Sequence, residues 1–233
     1  MSISCVWEHN GNDTLLYCVD FPCAYSRGAD LQEALSKLPV EIRTYCQWAG
    51  WNIPDDLSIH IVQDTACDLR VSDADSDVIF DYEKLPLTLE EYQNLKYLAL
   101  KSAEDFLSLY KSIPDPRIVL YSPRKTFYGN VPSSAEEMYM HTKNVNAYYF
   151  GENGVDADND GDIYACRLRG FEKLEALSHF LNNQVIEGSY GEHWSLRKML
   201  RRFLWHDRIH ARAMYRRSCT LFPDSQIPNV FFF

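Results

Sequence analysis

Ser195-Leu196-Arg197-Lys198-Met199-Leu200-Arg201-Arg202-Phe203-Leu204-Trp205-His206-Asp207-Arg208-Ile209-His210-Ala211-Arg212-Ala213-Met214-Tyr215 contains no glycine and no proline, and its spacing predicts one long helix over 193–219. Leu196, Met199, Leu200, Phe203 and Met214 share a stripe with His206 and His210. A separation of four residues puts both imidazoles on one helix face, with Cβ atoms roughly 6 Å apart. Two imidazoles on a core-facing stripe form either a metal clamp or a satisfied buried polar pair.

Three more amphipathic segments precede this helix. Thr88 caps one that runs to about residue 113, with Glu90 and Glu91 in its first turn and Tyr92, Leu95, Leu98, Ala99, Phe106 and Leu109 as its apolar stripe. Pro114 and Pro116 end it. Ser133 or Ser134 opens a second, to about 151, and a third covers 168–183. Four such helices joined by loops predict an up-down four-helix bundle. The second places His141 on an inward stripe with Met138, Val145 and Tyr148. Three histidines from two helices could surround one divalent ion. Neutral imidazole suits Zn, Ni, Fe or Cu, and a position would stay open for water or substrate. Hydrogen bonds to neighbouring Tyr or Asp are the alternative.

Ahead of residue 84 the pattern is short strands around one helix. Residues 3–8 and 14–21 read as strands flanking the turn at Asn10-Gly11-Asn12-Asp13, and 22–28 reads as loop. Asp30 and Glu33 form a capping pair for a helix with Leu31, Ala34, Leu35, Leu38, Ile42, Tyr45 and Cys46 on one stripe, and Pro39 predicts a kink or break within it. Residues 57–62 and 78–81 read as further strands. The fold class expected is α+β: a small β-β-(β)-α-β domain over 1–84, then a helical bundle over 85–233 with an extended aromatic tail from 222. Phe231-Phe232-Phe233 is apolar enough to dock on the body or on a partner.

Of the 233 residues, 46% are hydrophobic and 14% aromatic, enough for a sizeable core. The net charge of −10 argues against a nucleic-acid partner that depends on counterion release. No stretch of about 18 uncharged apolar residues suggests a membrane span, and the N-terminus lacks the basic and apolar regions of a signal peptide. Seven scattered cysteines without a CxxC are expected to be free thiols in a reducing cytoplasm, with Cys18–Cys23 a minor disulfide alternative.

The run 195–215, with its Trp-His-x3-His motif at Trp205, His206 and His210, resembles the last bundle helix of DinB-like (YfiT-like) proteins. Residues 137–149, around His141, resemble that family's second helix. The resemblance covers roughly 86–220. It implies that His141, His206 and His210 bind a divalent transition metal, Zn or Ni foremost, and that Asp207 lies behind the ligands or on the helix surface. It also implies a metal-dependent transferase or hydrolase acting on a small thiol-type substrate. The segments Phe21-Pro22-Cys23 and Gly28-Ala29-Asp30-Leu31-Gln32-Glu33-Ala34-Leu35 resemble a HicB-like α/β unit, although Cys23 stands where glycine is usual and no DNA-binding segment is visible.

Two further patterns bear on ligands. Asp156, Asp158, Asp160 and Asp162, with Gly161 and Ile163, read like the first part of an EF-hand calcium loop. Arg167 occupies the place of the bidentate glutamate, so calcium would bind weakly at best. The basic residues of the last helix read as a solvated face, with Arg201, Arg202 or Arg208 as alternative holders of a substrate carboxylate or phosphate. His9, His60 and His179 read as surface or structural residues, His193 lies at the helix start more than two turns from His206 and is set aside as a ligand, and no catalytic residue is assigned. The competing functional reading is a non-catalytic interaction module, in which the N-terminal unit and aromatic tail mediate assembly such as a homodimer.

Overall fold

Strand β1 (Ser2–Asn10) turns back on β2 (Asp13–Cys18) through a two-residue turn in which Gly11 takes φ 61°, a conformation that glycine accepts at little cost. A computed structural model describes residues 1–53, 56–126 and 129–233. Strand β3 (Tyr25–Gly28) pairs antiparallel with β2, and β4 (Ser58–Ala66) pairs parallel with β1, giving the order β3-β2-β1-β4. The register of β1 against β4 slips between Cys5 and Val6, leaving Val62 as an extra residue in β4. Tyr25–Gly28 was expected to be loop. It is too short to show alternation, and β2 supplies its ladder. Residues 78–81 form no strand; Asp81–Lys84 is a short 3-10 turn, with the Glu83 carboxylate accepting from the Phe80 amide at 2.9 Å.

Helix α1 (Leu31–Ala49) begins as expected, with the Asp30 side chain accepting from the Glu33 amide. Pro39 lies inside the helix without ending it. Ala34, Leu38, Ile42, Tyr45 and Cys46 are buried, and α1 packs on β2 and β3; this packing offsets the hydrogen bond that proline removes.

The chain is α+β, with a four-stranded sheet and, among the described residues, five α-helices. It divides into two compact units. One comprises Met1–Pro86 with Asn183–Trp205 and Phe232, the other Leu87–Asn182 with His206–Phe231 and Phe233. The first unit thus joins two separate stretches of chain, 1–86 and 183–205. Helix α5 (Leu196–Leu221) contributes its residues up to Trp205 to the first unit and the rest to the second.

The reason lies in the basic residues of the early turns of α5, which are buried rather than solvated, whereas Arg216 and Arg217 at its far end are exposed. In the first unit Arg197 donates to the carbonyls of Leu85 and Pro86 and to the Tyr82 hydroxyl. Lys198 is fully buried, donating to Asp77 O (2.6 Å), His193 O (2.7 Å) and the Glu192 carboxylate (2.8 Å). Burial lowers its pKa to about 8. Arg201 pairs with both oxygens of buried Glu83 and lies over the rings of Phe80 and Tyr17. Arg202 donates to Ser76 O at 2.7 Å. Buried cations are tolerated only when paired, and each of these has partners.

The second unit holds α2 (Leu89–Lys111), α3 (Ala135–Gly151), α4 (Ile163–Glu175) and the remainder of α5. Thr88 and Glu91 form the capping box of α2, and Ser134 caps α3. Helix α4 starts earlier than the expected 168, because Asp162 accepts from the Ala165 amide at 2.8 Å and serves as its N-cap. It packs on α2 and α3, where Phe171 meets Tyr92 and Phe150 edge-on.

At its centre Arg167, fully buried, binds both carboxylate oxygens of equally buried Asp207 (2.6 and 3.1 Å) and the Ala99 carbonyl of α2 (3.0 Å). Asp207 is therefore buried, where a helix-surface position was one expectation. Leaving Arg167 without its carboxylate strands a buried charge. Asp207→Ala should lose about 3–5 kcal/mol of stability in urea unfolding, and the double variant Arg167→Met/Asp207→Leu should lose much less.

Candidate metal centre

His141 comes from α3, and His206 and His210 from successive turns of α5. All three belong to the second unit. The Nε2 atoms of His206 and His141 are 3.1 Å apart. One nitrogen from each of the three rings lies within 4.8 Å of the others. Ring centroids are separated by 4.9 Å (His141–His206), 4.9 Å (His141–His210) and 4.6 Å (His206–His210). Three nitrogens at about 2.0–2.1 Å from a tetrahedral zinc would be roughly 3.3 Å from one another. One edge already has nearly that length, at 3.1 Å, and the other two are no longer than 4.8 Å. The donor set fits a borderline divalent ion such as zinc or nickel.

His141 is on the exposed side and the other two lie deeper. Loss of hydration of its charged form pulls the His141 pKa down. His210 is pushed down to about 3, by burial first and by the neighbouring His141 second. Both rings are held neutral, the form that has a lone pair to give. Among the described residues no cysteine or carboxylate joins the three. Such a set has room for a further ligand. The Tyr149 ring, two turns along α3 from His141, meets His206 edge-on at 6.1 Å. It was not singled out from the sequence, although its spacing of eight from His141 carried the signal.

The arginines expected to hold a substrate are committed elsewhere. Arg201 and Arg202 belong to the first unit, engaged as described. Arg208 lies two residues from each α5 histidine, which turns it to the opposite side of the helix. It is fully buried over the rings of Phe231 and Phe233. Phe231 and Phe233 are thus docked in their own unit, with Phe231 at 0% exposure and Arg212 also over Phe233, whereas Phe232 is exposed.

The acidic loop carries no convergent carboxylates. Asp158 is paired with Arg169, Lys173 donates to Asp156 O, and Asp162 caps α4. The Lys143 ammonium takes the carbonyls of Asn159 (2.9 Å) and Gly161 (3.3 Å), so side-chain cations do the work expected of calcium. Arg167, in the place of the glutamate ligand, points to Asp207. Millimolar calcium should leave the melting temperature unchanged; a rise of several degrees would contradict this assignment of the loop.

No family model, curated protein or solved structure matches this chain. No helix among the described residues is long and apolar enough to cross a membrane.

The depressed His210 pKa has a consequence for the metal-free protein. Unfolding returns the ring to the usual value of 6.5, so below that pH the unfolded chain binds a proton that the folded chain refuses. This contribution to stability is complete above 6.5 and is lost on acidification, by up to about 1.4 kcal/mol per pH unit. Urea unfolding between pH 7 and pH 5 should show a shallower loss in His210→Leu than in the wild type.

Proposed function

We propose that the chain is a DinB-like metal-binding protein whose second unit, with α2, α3, α4 and the latter part of α5, is a four-helix bundle holding a divalent transition metal on His141, His206 and His210. The single observation that carries this reading is the approach of three ring nitrogens from two helices to within 4.8 Å. The HicB-like reading of the first unit rests on its β-β-β-α-β order.

Bound at this site, a zinc or nickel ion would lower the pKa of a coordinated water or thiol and so supply a nucleophile near neutral pH. The residues of this chain do the rest. His141 and His210 are kept uncharged, and the helices fix the angle between the rings. No carboxylate neutralises the ion among the described residues, so the site favours an anionic partner such as a thiolate. The activity proposed is a transferase or hydrolase step on a small thiol-type substrate. Assembly through the aromatic tail is the weaker reading, because Phe231 is fully buried in its own unit.

Isothermal titration of chelator-treated protein with zinc and with nickel tests the reading. One equivalent should bind. His206→Ala and His141→Ala should each weaken binding by more than the roughly 10–100-fold that loss of a supporting hydrogen bond costs. Equal metal content in the wild type and His206→Ala would overturn it.

A further inference from the structure

Cys5 and Cys18 stand directly opposite each other across the β1–β2 hairpin. Two observations settle which kind of antiparallel pair they form. At one end the two-residue turn is closed by Asn10 and Asp13. At the other the Val19 amide donates to the Ser4 carbonyl at 2.8 Å. Main-chain bonds are exchanged at alternate positions of β1, so Ser4, Val6, Glu8 and Asn10 are the bonded ones and Cys5 falls between them. Cys5–Cys18 is a non-hydrogen-bonded pair, whose Cα atoms approach to about 4.5 Å with both side chains on the same face. That separation lies within the range of about 4.4–6.8 Å that disulfides span. Both residues are buried, at 0% and 1% exposure, and the two thiols are in hydrogen-bonding contact. No disulfide joins any of the seven cysteines, and the thiol that faces Cys18 is Cys5, where Cys23 was the expected alternative.

We propose that Cys5 and Cys18 are a latent cross-strand disulfide site, oxidised by exchange with a low-molecular-weight disulfide. One cysteine loses its proton and attacks a sulfur of the oxidant; the oxidant's S–S bond breaks and one small thiol leaves with a proton. The second cysteine then attacks the mixed disulfide, forming the Cys5–Cys18 bond and releasing a second small thiol. Two electrons pass from the cysteines to the oxidant, and both protons leave on the released thiols. The contact with Cys5 and burial both raise the Cys18 pKa, disfavouring the thiolate. Exchange is therefore gated by opening of the hairpin, and the bond once formed is sheltered from reduction. It would tie β1 to β2 at the residue where β1 changes register against β4.

The full-length reduced protein, incubated with excess oxidised glutathione in native buffer and quenched by alkylation, provides the test. Cleavage before Asp13, Asp20 and Asp30 separates Cys5, Cys18 and Cys23 into the fragments 1–12, 13–19 and 20–29. The expected result is fragment 1–12 linked to 13–19, the thiol count falling by two from seven, and full recovery with dithiothreitol. Cys23→Ser should give the same linkage, and Cys5→Ser should abolish it. The gated mechanism further expects severalfold faster oxidation in sub-denaturing urea. Linkage of 13–19 to 20–29, or seven free thiols after an exposure that cross-links the protein in sub-denaturing urea, would overturn the proposal.

Discussion

The buried pair of Arg167 and Asp207 governs how the helical unit is put together. Its guanidinium also reaches the Ala99 carbonyl, so one side chain on α4 ties together α2, α4 and α5. Such a pair adds little net stability over well-packed apolar residues, because both ions lose their water. What it supplies is registry. Sliding α5 by one residue along α4 would strand both charges, whereas a purely apolar contact would tolerate many offsets. Asp207 directly follows His206, so the constraint that sets the helix also sets the height of the imidazole relative to α3.

The first unit uses buried charge in a similar way. The early turns of α5 send Arg197, Lys198 and Arg201 among main-chain carbonyls and carboxylates from residues 77–86 and 192–193. Arg201 lies on Phe80 and Tyr17, which combines an ion pair with aromatic faces in a dry setting. Backbone carbonyls that leave regular structure need donors when buried, and long basic side chains reach them where amides cannot. A helix rich in arginine is consequently as much an interior element here as one rich in leucine.

Much of this was legible in the residues and some of it was not. The capping pair Asp30/Glu33 and the cap Thr88 gave helix starts, because capping is local chemistry. The histidine spacing pointed to a shared site because helical geometry is also local, although only the fold could bring α3 to α5. The destination of the arginines was hidden, since exposure depends on partners distant in sequence such as Glu83 and Asp207. The same holds for the acidic loop. Its alternating aspartates resemble a cation site in one dimension, and only folding shows that Lys143, Arg169 and Lys173 reach it first. Strand β3 escaped notice because four residues carry no period of their own.

The extra residue Val62 in the outermost strand has an effect on what that strand can receive. An outlying strand of nine residues would ordinarily offer a template to any stray extended peptide. Here the spacing of its free amides and carbonyls is interrupted midway, so a visitor in regular extended form can follow residues 58–61 or 63–66 but not both. The irregularity splits one long sticky margin into two short ones, a form of protection against runaway self-assembly that geometry supplies beside the exposed charge of Asp64.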